Sequence, residues 1–329
     1  MPTNLPNEIL FNMPARLYSA LKKTGLVLVI AMLGLAVGSC AMMLPERDVP
    51  ARKIALKNHD GKQTIELNIE EYGKRGTPIL LIHGFAGTTY SWHKIIPKLE
   101  KKHRVFVVDL KGFGHSDKPF DGHYSLYDQV DLINQLIDKL KLRNLTVVGH
   151  SMGGSVGMLL AIEETKTRQR RIKKLVVVEG PALDQENPSL VSVLSVPVLS
   201  PLMIAAGPPE LISKIGSKMT HPRGYKTNRE EVLRQAQQFY EPGGKYALLK
   251  TATSMISFDT SEVASSYRKM NLPTLLVWCD NDEIVPISVA ERLNEILPNS
   301  RLQTLKGCAH APQYLQPDEL AKAIARFAN

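Results

Sequence analysis

One short stretch constrains the fold of this chain more than any other. Residues 146–157 read TVVGHSMGGSVG: small and β-branched residues, a glycine, one serine, then more glycine ahead of an apolar helical run. A strand that turns sharply into a helix has room for a side chain only at the apex. The positions two before and two after it press against neighbouring backbone, and glycine fits there. Gly149 and Gly153 hold those places around Ser151, NLTVVG before them reads as a buried strand, and GGSVGMLLAIEE after them reads as a helix. A glycine-rich turn that only packs a helix onto a strand would look the same over these five residues, so the rest of the chain must decide.

Around this corner, strands and helices alternate. From Arg52 the segment RKIALKNHDGKQTIELNIEEYG has two alternating runs about Asp60-Gly61, a hairpin signal. There follow the strand TPILLIHG, a helix over residues 91–100, the strand HRVFVVDL and a helix over 126–140. After the corner come IKKLVVVEG, LPTLLVWCD, a helix over 287–296, SRLQTLKG and a final helix over 318–327. Almost wholly apolar strands separated by helices specify a mostly parallel sheet covered on both faces, an α/β fold. The length of 329 residues and 43% hydrophobic content support one large core. The core divides into residues 46–180 and 271–329. Between them, residues 181–270 run as helix-like segments without a convincing buried strand. This insertion leaves one strand's carboxyl end and returns to the start of the next, so it is expected above the sheet edge as a helical lid. Its opening, LVSVLSVPVLSPLMIAAGPP, is strongly apolar, but Pro197 and Pro201 break any long helix. Its leucines and valines suit a small core of the lid's own and the lining of an apolar pocket.

Serine becomes a nucleophile only when a base removes its proton, and the base needs a carboxylate to hold its tautomer. LLVWCDNDEIVP puts Asp282 just past an apolar strand and LKGCAHAP puts His310 just past the last one, in the order Ser, Asp, His. Glu179, at the end of VVVEG, is the competing carboxylate. His83 and His150 flank the corner and read as loop-shaping residues, and Asp109 as the anchor of a turn that Gly112 and Gly114 allow. With LIHGFAGTTYSWHKIIPKL, VVDLKGFGHSDKP, VVGHSMGGSVG, LLVWCDNDEIVP and GCAHAP in place, the chain from about Lys53 onward resembles the lid-bearing serine α/β-hydrolases. The resemblance implies Ser151 as nucleophile, His310 as base and then acid, and Asp282 as orienting carboxylate. It also implies an oxyanion hole made by the backbone N–H groups of Phe85 and Met152. An amide at a helix start directs its hydrogen and the helix dipole toward such a charge. The implied activity is hydrolysis of small carboxylic esters with apolar acyl groups, esterase- or lipase-like. Other uses of the triad are carbon–carbon hydrolysis of ring-cleavage products, acyl transfer and perhydrolysis. His150 stands where the carbon–carbon hydrolases usually carry asparagine. A non-catalytic binding protein on this fold would not need an intact triad.

Residues 1–45 form a separate segment. Arg16, Lys22 and Lys23 precede the uncharged run TGLVLVIAMLGLAVGSCAMML, the pattern of an export signal. Its VGSC resembles a lipobox, which would make Cys40 an acylated amino terminus; an uncleaved membrane anchor is the alternative. Both place the remainder outside the cytoplasm, tethered to a membrane. Cys279 and Cys308 lie on expected neighbouring strands in a compartment that permits a disulfide, but the demanding geometry of sulfur bridges favours two free thiols. The net charge of +9 is spread along the chain without a nucleic-acid-binding signature, so no nucleic-acid partner is expected. The densest basic stretch, KTRQRRIKK, reads as a solvated connection. No Cys/His spacing suits zinc and no glycine loop suits a phosphate, so neither metal nor cofactor is expected.

Overall fold

The computed structural model describes residue 49 and residues 51–183, 207–222 and 224–329. The export segment with Cys40, and the apolar opening of the insertion, lie outside the described residues. Among the described residues no helix is long and apolar enough to cross a membrane.

The chain opens with the hairpin β1 (Ala51–Lys57) and β2 (Thr64–Tyr72), turning at Gly61. There follow β3 (Pro78–Ile82), a 3-10 turn at Thr89–Trp92, α1 (Ile96–Leu99), β4 (Arg104–Val108), α2 (Leu126–Lys139) and β5 (Leu145–His150). After the corner come α3 (Met152–Thr167) and β6 (Ile172–Val178). The described part of the insertion carries α4 (Pro209–Thr220), α5 (Arg229–Ala236), a 3-10 turn at Gln237–Phe239, α6 (Gly244–Ile256) and α7 (Ser261–Tyr267). The core resumes with β7 (Thr274–Cys279), α8 (Ile287–Ile296), β8 (Ser300–Leu305), α9 (Pro312–Leu315) and α10 (Pro317–Ala328). The eight strands form one sheet in the order β1-β2-β4-β3-β5-β6-β7-β8. Only the β1–β2 and β2–β4 pairs are antiparallel.

The central strands are apolar throughout because the pleat sends successive side chains into two separate cores. Leu80, Ile82, Val147, Val177 and Leu276 enter one with α2 and α3, while Ile79, Leu81, Val148, Val176 and Val277 enter the other with α1 and α10. The expected α/β architecture is therefore the observed one. A continuous helix over residues 91–100 does not form. Pro97 has no N–H for an interior helical bond, and its ring would strike the carbonyl one turn back, so the segment splits into the 3-10 turn and α1. The basic connection also differs from expectation. Arg171 within it is buried, pairing with Glu164 at 3.2 Å and Asp138 at 3.0 Å, and donating to Asn134 at 2.8 Å.

The insertion touches loops at the carboxyl ends of the strands. Lys118 after β4 pairs with Glu241 at 2.6 Å, while within the insertion the Tyr267 hydroxyl donates to the Ala182 carbonyl at 2.9 Å. Lys94 pairs with Glu231 at 2.9 Å, and Gln235 donates to the Tyr314 hydroxyl of α9 at 2.9 Å.

Candidate active site

Ser151 occupies the apex between β5 and α3 with φ 51° and ψ −121°, a conformation a non-glycine residue adopts only when its surroundings force it. The forcing contacts are those the sequence implies. A Cβ at Gly149 would lie 2.0 Å from the Gly153 carbonyl oxygen, and one at Gly153 would lie 2.4 Å from that of Ile82. The two glycines let strand, turn and helix close to contact distance, and the turn then has one side chain to present.

The ends of β7 and β8 bring the partners to it. Asp282 follows β7, where its Oδ1 accepts the backbone N–H groups of Ile284 at 2.8 Å and Val285 at 3.0 Å. The Trp278 indole donates to the Val285 carbonyl at 2.9 Å and pins the same loop. Oδ2 is thereby directed at His310, with Nδ1 at 2.7 Å. A carboxylate can only accept, so Nδ1 carries the hydrogen and the lone pair of Nε2 faces the Ser151 hydroxyl at 2.9 Å. One hydrogen-bonded line, carboxylate to imidazole to hydroxyl, joins three residues far apart in sequence. It can take a proton from the serine while the carboxylate stabilises the imidazolium that results.

Cys279 and Cys308 are joined in a disulfide with Cα atoms 5.1 Å apart, which corrects the expectation of free thiols. The reason is the register: β7 and β8 are adjacent parallel strands with Cys279 opposite Leu305, so the loop after β8 brings Cys308 back alongside. The bridge ties together the two loops that carry Asp282 and His310.

Glu179 directly follows β6 in a left-handed conformation, φ 52°, and is fully buried. Its Oε1 accepts the Cys279 N–H at 3.0 Å, while Oε2 has no hydrogen-bond partner and stands 3.9 Å from His310 Nδ1 and 3.7 Å from His150 Nε2. Burial, and after it the charge of Asp282, push its carboxyl well above the usual range. Of the two competing carboxylates, Asp282 alone hydrogen-bonds the imidazole.

His150 and His83 are braces. His150 Nε2–H donates to the His310 carbonyl at 2.8 Å, and Gln313 stands 3.3 Å from its Nδ1. Burial, with His310 adjacent, pushes the His150 imidazole down to about 3, so it is neutral. His83 accepts the Leu110 N–H at 3.0 Å and donates to the Gly84 carbonyl at 2.8 Å; burial lowers its pKa as well. Nitrogens of His150 and His310 and a Glu179 oxygen lie within 4.8 Å of one another, a grouping that spacing along the chain did not reveal. Both histidine nitrogens in it are already donors, to the His310 carbonyl and to Asp282. Asp109 is the turn anchor, accepting from the Thr89 amide at 2.6 Å, Asn68 at 2.8 Å and the His115 amide at 3.0 Å.

Phe85 is the second residue of a turn closed by the Gly87 N–H to the Gly84 carbonyl at 3.0 Å, and Met152 is the first residue of α3. The strand-end loops after β3 and β5 thus carry the two amides expected to serve as an oxyanion hole. Gln238, from the 3-10 turn of the insertion, reaches the loop of Phe85. Sequence reading missed it, because a glutamine in a helical segment carries no signal of its own.

Residues 77–317 match the α/β-hydrolase fold family. The uncharacterised hydrolase YugF of Bacillus subtilis is 25% identical over 80% of this chain and 94% of its own length. Lipase 3 of a Moraxella species is 28% identical over 72% of each chain. Among solved structures, an esterase from Thermogutta terrifontis superposes with a TM-score of 0.70 at 22% identity, covering 84% of this chain and 97% of its own. Sheet order, corner and family match agree: the chain belongs to the α/β-hydrolase family.

Proposed function

We propose that this protein hydrolyses carboxylic esters with apolar acyl groups through an acyl-enzyme, with Ser151 as nucleophile. The observation that carries this reading is the unbroken line from Asp282 through His310 to the Ser151 hydroxyl, at 2.7 Å and 2.9 Å. Ser151 Oγ bonds to the ester carbonyl carbon as its proton passes to His310 Nε2. The carbonyl oxygen gains the negative charge and turns toward the amides of Phe85 and Met152. As the tetrahedral centre collapses, the alcohol oxygen leaves with the proton from Nε2. Water then gives a proton to Nε2 and its oxygen to the acyl carbon; when that centre collapses, the proton returns to Ser151 and the acid departs. The name of the Moraxella relative, a lipase, supports an ester substrate. The apolar run over residues 190–206 supports an apolar acyl group, with residues 181–270 acting as a lid.

The test is a series of p-nitrophenyl esters from acetate to decanoate. Each methylene that enters an apolar pocket contributes about 0.8 kcal/mol, so kcat/KM should rise roughly fourfold per carbon until the pocket is full. Strict preference for acetate refutes the apolar site, and undiminished activity in Ser151→Ala refutes the nucleophile. We also propose that residues 1–45 export the enzyme and tether it to a membrane, through acylated Cys40 or as an uncleaved anchor. The intact mass of the membrane-extracted protein separates these, and an unlipidated chain released by salt alone refutes both.

A further inference from the structure

We propose that Gln238 is a positioning residue for the oxyanion hole, through which the helical insertion holds the Phe85 amide in place. This inference rests on the reading of Ser151 and Phe85 given above. Gln238 is 2% exposed, and its carboxamide is used at both ends. Oε1 accepts the Gly114 N–H at 3.0 Å, in the loop after β4. Nε2 donates to the Ala86 carbonyl at 2.9 Å, in the loop after β3, and to the Gln235 carbonyl at 3.0 Å. One side chain from the insertion therefore clamps two loops at the carboxyl edge of the sheet.

What it clamps is a strained turn. Ala86 sits at φ 59° without being glycine, a strained conformation that neighbours must sustain. The turn from Gly84 to Gly87 closes on one backbone bond, and Phe85 lies inside it. The orientation of the Phe85 amide is therefore tied to that of the Ala86 carbonyl, which Gln238 holds. The second loop is already rigid: a Cβ at Gly114 would lie 2.1 Å from the Asp109 carboxyl carbon, and Asp109 also takes the Thr89 and His115 amides. Gln238 thus references the strained turn to one that Asp109 already holds. An oxyanion donor works only if it is aimed before charge develops, so a clamp on its turn acts on the transition state more than on substrate binding.

Gln238→Leu removes both bonds, and Gln238→Met, which removes both with an unbranched side chain of similar length, serves if the leucine variant does not fold. Rates are normalised to active sites titrated with a fluorophosphonate, so any unfolded fraction drops out. In either variant kcat should fall about tenfold to a hundredfold, a part of the loss expected for deleting an oxyanion donor outright. KM should change less than about threefold, and affinity for butylboronic acid, which becomes tetrahedral on the serine, should fall by the same factor as kcat/KM. The alkaline and acid limbs of the pH profile should stay in place, because His310 is untouched. If kcat per titrated site and boronic-acid affinity remain within twofold of wild type, while only the melting temperature drops, Gln238 is a packing residue and the proposal is overturned. If the fluorophosphonate does not label Ser151 of the wild type, the underlying reading of the site fails instead, and this inference with it.

Discussion

Two carboxyl groups approach His310, and exchanging each for its amide tests which one the chemistry uses. Asp282→Asn keeps Oδ1 as acceptor for the Ile284 and Val285 amides, so the loop stays folded, but it replaces the oxygen 2.7 Å from Nδ1 by an amide group that cannot stabilise an imidazolium. Loss of a triad carboxylate in a serine protease costs about 10⁴ in kcat, which is roughly 5.5 kcal/mol, and the same order is expected here. Glu179→Gln should do very little to turnover. The Glu179 carboxyl lies 3.9 Å from Nδ1, beyond hydrogen-bond reach, and burial pushes it toward the neutral form, which glutamine reproduces in shape while keeping the acceptor for Cys279. Its kcat should remain within about threefold of wild type. The assay is p-nitrophenyl butyrate hydrolysis per fluorophosphonate-titrated site, with melting curves showing that both variants are folded. A crippled Glu179→Gln beside a nearly normal Asp282→Asn would refute the assignment and make Glu179 the working acid.

The same Glu179→Gln protein should gain stability over wild type as the pH rises. Above the ordinary glutamate range near 4.5, the unfolded chain ionises and the folded one does not, so wild type loses up to about 1.4 kcal/mol per pH unit until the raised folded value is reached. Urea midpoints of the two proteins should coincide near pH 4 and diverge by pH 8, and parallel curves would show that Glu179 is not held neutral. The Cys279–Cys308 bridge closes a separation of 29 residues, so loop-closure entropy assigns it about 3.6 kcal/mol. The paired Cys279→Ala, Cys308→Ala variant and reduced wild type should both unfold at lower urea than oxidised wild type. If the number of maleimide-reactive thiols in denaturant is the same with and without reductant, there is no bridge.

The sequence by itself determined the architecture and named Ser151, Asp282 and His310, the three residues the fold brings into one hydrogen-bonded line. Periodicity is a local property: an apolar run such as TLLVWC can satisfy its backbone and bury both faces only in the interior of a sheet. The corner at Ser151 was legible because steric exclusion around Gly149 and Gly153 acts over a few residues. The order of Asp282 and His310 followed from the strands that precede them. What the sequence left open were distances across the ends of different strands. Glu179 and Asp282 both follow strands, and only the packed loops decide that Asp282 stands 2.7 Å from the imidazole and Glu179 at 3.9 Å, buried. The disulfide depended likewise on how the loop after β8 returns to β7, and the role of Arg171 on which acids α2 and α3 bring to it. Gln238 is the clearest instance, since the two loops it bridges lie more than a hundred residues away along the chain. Hydrogen-bond reach is a matter of tenths of an ångström, while sequence patterns specify elements to within a residue or two, and tertiary packing alone bridges that difference.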